Sequence, residues 1–212
     1  MLAGGGKDKG VGARLGFPLL FACMACLLFF VPDAASFFQY DRIRIGEGEL
    51  WRLVASHWTH WSAEHLFWDL AVFLFLLSWC LRAGPRCTGI VLGAASLVIP
   101  LGIYWIQPDL TYYRGLSGLD AALFALLAIR VASALKADGD RAGLLLVMAL
   151  VAGLLVKIVY EGITGETVFV ANMAPNVVVV PLAHLLGCGI GFAAGLWFPD
   201  FCESKRMQAC SV

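Results

Sequence analysis

Six apolar runs, each close to the length of a bilayer span, constrain this chain more than any other feature. They cover residues 15–31, 66–81, 89–106, 116–135, 142–160 and 177–198, with charged or Pro/Gly-rich breaks between them. A hydrocarbon core about 30 Å thick takes roughly 20 apolar residues per helix, so the pattern predicts six transmembrane helices and an all-α membrane bundle. Composition agrees: 60% of the 212 residues are hydrophobic and 14% charged, outside the range of ordinary soluble domains. The expected division is an N-terminal segment 1–14, a membrane domain 15–198 and a tail 199–212.

Lys and Arg placement sets the orientation. With the N-terminus inside, ten of the fifteen fall on the cytoplasmic side: Lys7, Lys9, Arg14, Arg82, Arg86, Arg130, Lys136, Arg141, Lys205 and Arg206. Arg42, Arg44, Arg52 and Arg114 fall outside, so both termini are expected in the cytoplasm. The first run also admits a second reading as a signal peptide, because basic residues precede it and "DAAS" follows it. Formal net charge is zero, with no clustered basic surface, which gives nucleic-acid binding no support. All seven cysteines fall in helices or near the inner face, so no disulfide scaffold is expected.

The longest break, 32–65, mixes Trp51, Trp58 and Trp61 with Arg52 and three histidines, a composition suited to headgroup depth. His57, His60 and His65 match no metal-ligand spacing, and H-E-x-x-H is absent, so neither metal nor cofactor is expected. His65 and Asp69 are four apart on one face near the outer end of the second helix. An ionisable pair in a span is a functional candidate by default.

The fourth run opens on "YYRGLSGLDAALFA". Ser117 there reads as a helix cap, a small packing residue or a nucleophile. The sixth run carries one histidine, His184, beside Gly187, Gly191 and Gly195, whose four-residue repeat makes a groove for close helix contact. In the expected topology Ser117 and His184 both approach from outside, and a recessed short helix at Ser117 would bring them to one depth. A serine hydroxyl becomes a nucleophile when a base takes its proton, and imidazole suits that work. Backbone N–H groups at the helix start, that of Leu116 among them, are candidates to hold an oxyanion. Lys157 and Glu161, four apart, read as an interfacial ion pair.

"ELWRLVASHWTHWSAEHLFWDL", "RGLSGLDAALFALLA" and "AHLLGCGIGFAAG", in that order over residues 49–198, resemble the rhomboid intramembrane serine proteases. The resemblance implies Ser117 as nucleophile, His184 as general base, and His65 with the position of Asp69 as oxyanion helpers. The family usually has Asn where this chain has Asp69, and an ionised carboxylate accepts hydrogen bonds rather than donating them. "YYRGLSG", "KIVYEGITG" and "PLAHLLG" look most like rhombosortases. That implies a bacterial inner-membrane enzyme, with its site near the periplasmic face, which cuts Gly-Gly C-terminal sorting tails from exported proteins. Its partners would be transmembrane substrates and membrane lipid. A catalytically silent relative that binds transmembrane segments is the alternative. An ion relay through Asp69, Asp120, Lys157 and His184 is a third, without the paired broken helices of a transporter.

Overall fold

The structure, a computed structural model, describes residues 8–168 and 178–198. Its elements are α1 (Asp8–Phe30), α2 (Ala34–Phe38), β1 (Tyr40–Asp41), α3 (Arg42–Gly46) and α4 (Trp51–Ala55), then a 3₁₀ turn (Ser56–Trp58). After these come α5 (Ala63–Ala83), α6 (Pro85–Ile106), β2 (Tyr112–Tyr113), α7 (Ser117–Asp138), α8 (Arg141–Thr164) and α9 (Pro181–Trp197). Each of the six apolar runs carries a helix. Four of them, α5 to α8, are long and apolar enough to cross a membrane. The apolar part of α1 (Pro18–Phe30) and α9 are shorter; the 17 residues of α9 rise roughly 26 Å. Residues 1–7 and the tail 199–212, on which the expected location of the termini partly rests, lie outside the described residues.

The sixth helix starts later than expected, at Pro181 rather than at 177. Proline holds the first helical position, where no N–H is needed, and pushes Val180 before it into a non-helical conformation. His184 is therefore in the first turn of α9.

α7 stands at the centre, with α5, α6, α8 and α9 packed around it. Its seam with α9 is built from backbone. A methyl on Gly187 would be driven into the Gly118 carbonyl oxygen, and one on Gly191 into that of Ala122. α8 differs: very little of its middle is buried within the protein, and Leu145, Leu146, Met148, Val156 and Val159 point outward. That surface suits lipid.

The 32–62 segment is not a simple interfacial belt. Trp51 is exposed, but Trp58 is buried, stacked on Phe21 of α1 with ring centres 4.7 Å apart and set edge-on to Phe73 of α5. Indole burial against two aromatic rings outweighs a headgroup position here. Arg52 is buried too, its guanidinium reaching the Ser36 and Gln39 carbonyls and Glu49, so it fastens the segment to itself. β1 and β2 then pair antiparallel, Tyr40 opposite Tyr113, and tie this cap to the strand leading into α7.

His57 lies fully buried in the cap, with Nε2 3.2 Å from the Ser96 carbonyl of α6. Burial lowers its pKa from 6.5 to about 4, against the pull of backbone contacts to Ser96 and Gly115. Between those values the unfolded chain holds the extra proton and the folded chain does not. The contribution of His57 is thus full above pH 6.5 and is lost as pH falls toward 4. The full loss is roughly 3 kcal/mol, at 1.4 kcal/mol per unit. Unfolding midpoints of the detergent-solubilised protein should fall between pH 7.5 and 5, and a His57→Gln variant should show a flatter profile. An equally steep variant would show that other groups carry the acid sensitivity.

Candidate active site

The site is assembled at the end of the bundle where α5, α7 and α9 begin and α8 ends. Ser62 starts α5, its hydroxyl accepting the His65 N–H at 3.1 Å. From that start, His65, Asp69, Phe73 and Leu76 recur on the buried face. His65 Nε2 lies 3.2 Å from Asp69 Oδ2. His60, arriving from the cap and almost fully buried, presents Nε2 to the same oxygen at 3.4 Å, too poorly placed to form a hydrogen bond. Burial lowers the pKa of His60, and the facing carboxylate opposes that shift.

The strand before α7 is held close over these groups. Gly115 adopts φ +121°, a conformation open to glycine, and donates its N–H to the Ser56 carbonyl at 3.3 Å. A side chain there would also meet His65 Nε2 at 2.9 Å and Asp69 Oδ2 at 3.0 Å. Tyr113 Oη donates to the Gly115 carbonyl, and burial raises its pKa, so the phenol keeps its proton. Arg114 stacks on Trp61 at 4.2 Å and bonds the Gln39 side chain and the His60 carbonyl, which fixes the outer rim. The next amide, that of Leu116, donates to Asp69 Oδ2 at 2.8 Å.

Ser117 is the first residue of α7, and Leu116 holds the cap position without a side-chain bond. Ser117 is therefore not a side-chain cap, and α7 is a full 22-residue helix, as the 116–135 run predicts, not a recessed short one. His184 is the fourth residue of α9, and the glycine seam sets the two helix starts side by side. The Ala183 carbonyl lies 3.2 Å from where a Gly118 methyl would be. Ser117 and His184 both occupy first turns, on helix starts packed against each other.

Ser117, His184, His65 and Asp69 all line one cavity of about 450 Å³. Its walls are largely apolar: Trp68, Val72 and Leu76 of α5, Phe124 of α7, Leu150 and Leu154 of α8, and the Val178–Val180 segment. α5 and α8 line it while scarcely touching each other. Among the described residues no hydrogen bond joins Ser117 to His184; catalytic bonds commonly tighten only with substrate in place. Asp120 also lines the cavity, with Oδ1 buried and without a partner among the described residues.

Two groups at the site escaped the sequence reading. His60 gave no signal beyond a loop histidine. Glu161 read as the partner of Lys157, which it is at 2.7 Å, yet it also faces His184, its Oε2 3.5 Å from Nδ1. Its place four residues from a lysine, near the outer end of a span, was the available hint.

The rhomboid domain family matches residues 47–200, which takes in every group named above apart from Phe21, Ser36 and the residues around β1. No curated protein matches the chain.

Proposed function

This chain belongs to the rhomboid family, and from that premise we propose that it is an intramembrane serine endopeptidase working through Ser117 and His184. It is a multi-pass membrane protein, and rhomboids are in general serine proteases that act on transmembrane substrates. The observation that carries the reading is the shared cavity, with a serine hydroxyl and a buried imidazole on adjoining first turns inside apolar walls. A substrate segment reaches it between α5 and α8.

His184 Nε2 takes the Ser117 proton as Oγ bonds to the scissile carbonyl carbon. The same proton passes to the leaving amide nitrogen as the C–N bond breaks and the acyl-enzyme forms. Water then repeats the cycle and frees the serine. The first-turn amides of α7, together with His65, supply donors for the oxyanion. The finer reading is a rhombosortase: a six-span protein of the bacterial inner membrane, both termini inside, that cuts exported proteins at Gly-Gly C-terminal tails near the periplasmic face. Glycine weakens the substrate helix, which opens the peptide bond to attack. The proposed oxyanion set is His65, Asp69 and Leu116.

One observation favours the silent, segment-binding relative. The Leu116 N–H is occupied by Asp69, a group that accepts rather than donates when ionised. Co-expression with a reporter ending in Gly-Gly, an apolar helix and a basic tail separates the two readings, with wild type set beside Asp69→Asn. Wild-type cleavage, held or raised in the amide variant, is the expected result. Cleavage by Asp69→Asn alone would assign the wild type to the silent class. Wild-type cleavage that collapses in the variant would give the carboxylate a role of its own.

A further inference from the structure

In the reading above, His184 needs its proton acceptor, Nε2, turned toward the serine, and something must hold the ring that way. His184 is 6% exposed, and its Nδ1 is buried with no hydrogen-bond partner among the described residues. The acid facing that nitrogen is Glu161, 3% exposed, with Oε2 at 3.5 Å. This is a few tenths of an ångström beyond a hydrogen bond.

The Glu161 carboxylate is not loosely placed. Oε2 accepts Lys157 Nζ at 2.7 Å, and Oε1 accepts the Val168 N–H at 3.3 Å. The second contact exists because Gly165, at φ +71°, ends α8 in a left-handed turn and folds the chain back over the helix end. Gly162 brings the same end of α8 near Pro181, its Cβ position 3.8 Å from the proline Cγ, so Glu161 is registered against the first turn of α9. A buried carboxylate fixed at both oxygens thus stands beside a buried, unpaired imidazole nitrogen. Asp120, the acid nearest to Ser117 in the chain, forms no ion pair with His184 among the described residues.

We propose that Glu161 is the positioning residue of His184, which makes the centre Ser117–His184–Glu161 with Lys157 as the carboxylate's clamp. The assignment rests on the reading of His184 as the base. Nδ1–H donates to Oε2, which leaves the lone pair on Nε2 for the serine proton. When that proton arrives, the imidazolium has its counter-charge in contact. The proton on Nδ1 stays there throughout. Lys157 donates to the carboxylate and shares its charge, and the three members come from three helices.

The test uses full-length protein in detergent and a fluorophosphonate probe, which bonds to an activated serine without any need for the natural substrate. Labelling rates are taken per folded molecule, with thermal midpoints alongside, for wild type, Ser117→Ala, Glu161→Gln, Glu161→Asp and Lys157→Met. Wild type should label and Ser117→Ala should not. Glu161→Gln should label about 10²-fold more slowly or worse, with Glu161→Asp in between. The fall in Glu161→Gln should exceed that in Lys157→Met by about tenfold. The midpoint of the wild-type rate against pH should move down in Glu161→Gln, since the imidazolium loses its counter-charge. The other charged or titratable groups at the cavity, Lys157 on α8, Asp120 on α7, His65 and Asp69 on α5, and Tyr113 and Arg114 ahead of α7, stay in place. Equal labelling of Glu161→Gln and wild type would overturn the assignment and leave the serine mechanism standing. Equal falls in Glu161→Gln and Lys157→Met, with an unmoved pH midpoint, would mark a structural ion pair and overturn it as well. A wild type that does not label would sink the serine mechanism, and this assignment with it.

Discussion

Ser117→Ala, His184→Ala and the double variant should all fall to one residual cleavage rate, at least about 10³-fold below wild type. Two groups that pass a single proton act as one unit, so removing the second after the first costs nothing more. Independent contributors would multiply their losses, and the double variant would then fall well below either single one. The measurement is reporter cleavage in membranes at matched expression. Additive losses would mean that the shared cavity does not bring the two side chains into one step. Retained cleavage in Ser117→Ala would remove the serine from the chemistry altogether.

Gly187→Ala should lower activity by about 10²-fold, while Gly189→Ala on the same helix should leave it within twofold of wild type. The Gly187 methyl has no room: it meets the Gly118 carbonyl oxygen and lies 3.1 Å from the Gly118 carbonyl carbon and 3.2 Å from the Ala122 nitrogen. Those are backbone atoms of a helix, so α9 must move away as a body. An ångström of misplacement in a catalytic pair costs about 10²-fold. Overpacking of this kind also costs about 1–3 kcal/mol, which a drop in unfolding midpoint would report. Gly189 has nothing within 4 Å of its Cβ position and serves as the control. If both variants behaved alike, the seam would not be what holds His184 beside Ser117.

The helices were legible because lipid demands continuous apolar length, and that demand is written residue by residue. The glycine repeat on α9 was equally readable, since only a close neighbour makes use of three glycines on one face. The start of α9 was misplaced because a run of valines extends the apolar signal ahead of the proline that begins the helix. Trp58 was misjudged for a different reason. An indole beside polar residues has the same composition at a headgroup as in a core, and Phe21, which decides between them, is 37 positions away in the chain. Glu161 illustrates the hardest case. Its pairing with Lys157 is local and visible at four residues' spacing, whereas its approach to His184 depends on where two helices end in space. Spacing along one helix is written in the sequence; spacing between helices is not. The Leu116 amide is similar, for its engagement by Asp69 depends on how a strand lies over α5.

The seam between α7 and α9 and the loose setting of α8 give the molecule two very different stiffnesses. Where peptide carbonyls meet glycines there are no rotamers to rearrange, so the contact has almost no compliance. Across the cavity, little of the middle of α8 is held by the rest of the protein, so its position depends more on what surrounds it. A change in bilayer thickness or lateral pressure will therefore be taken up by the α8 wall, and the distance between serine and imidazole will hardly register it. For the proposed protease, the lipid would then govern how often the cavity admits a substrate without retuning the chemistry that follows.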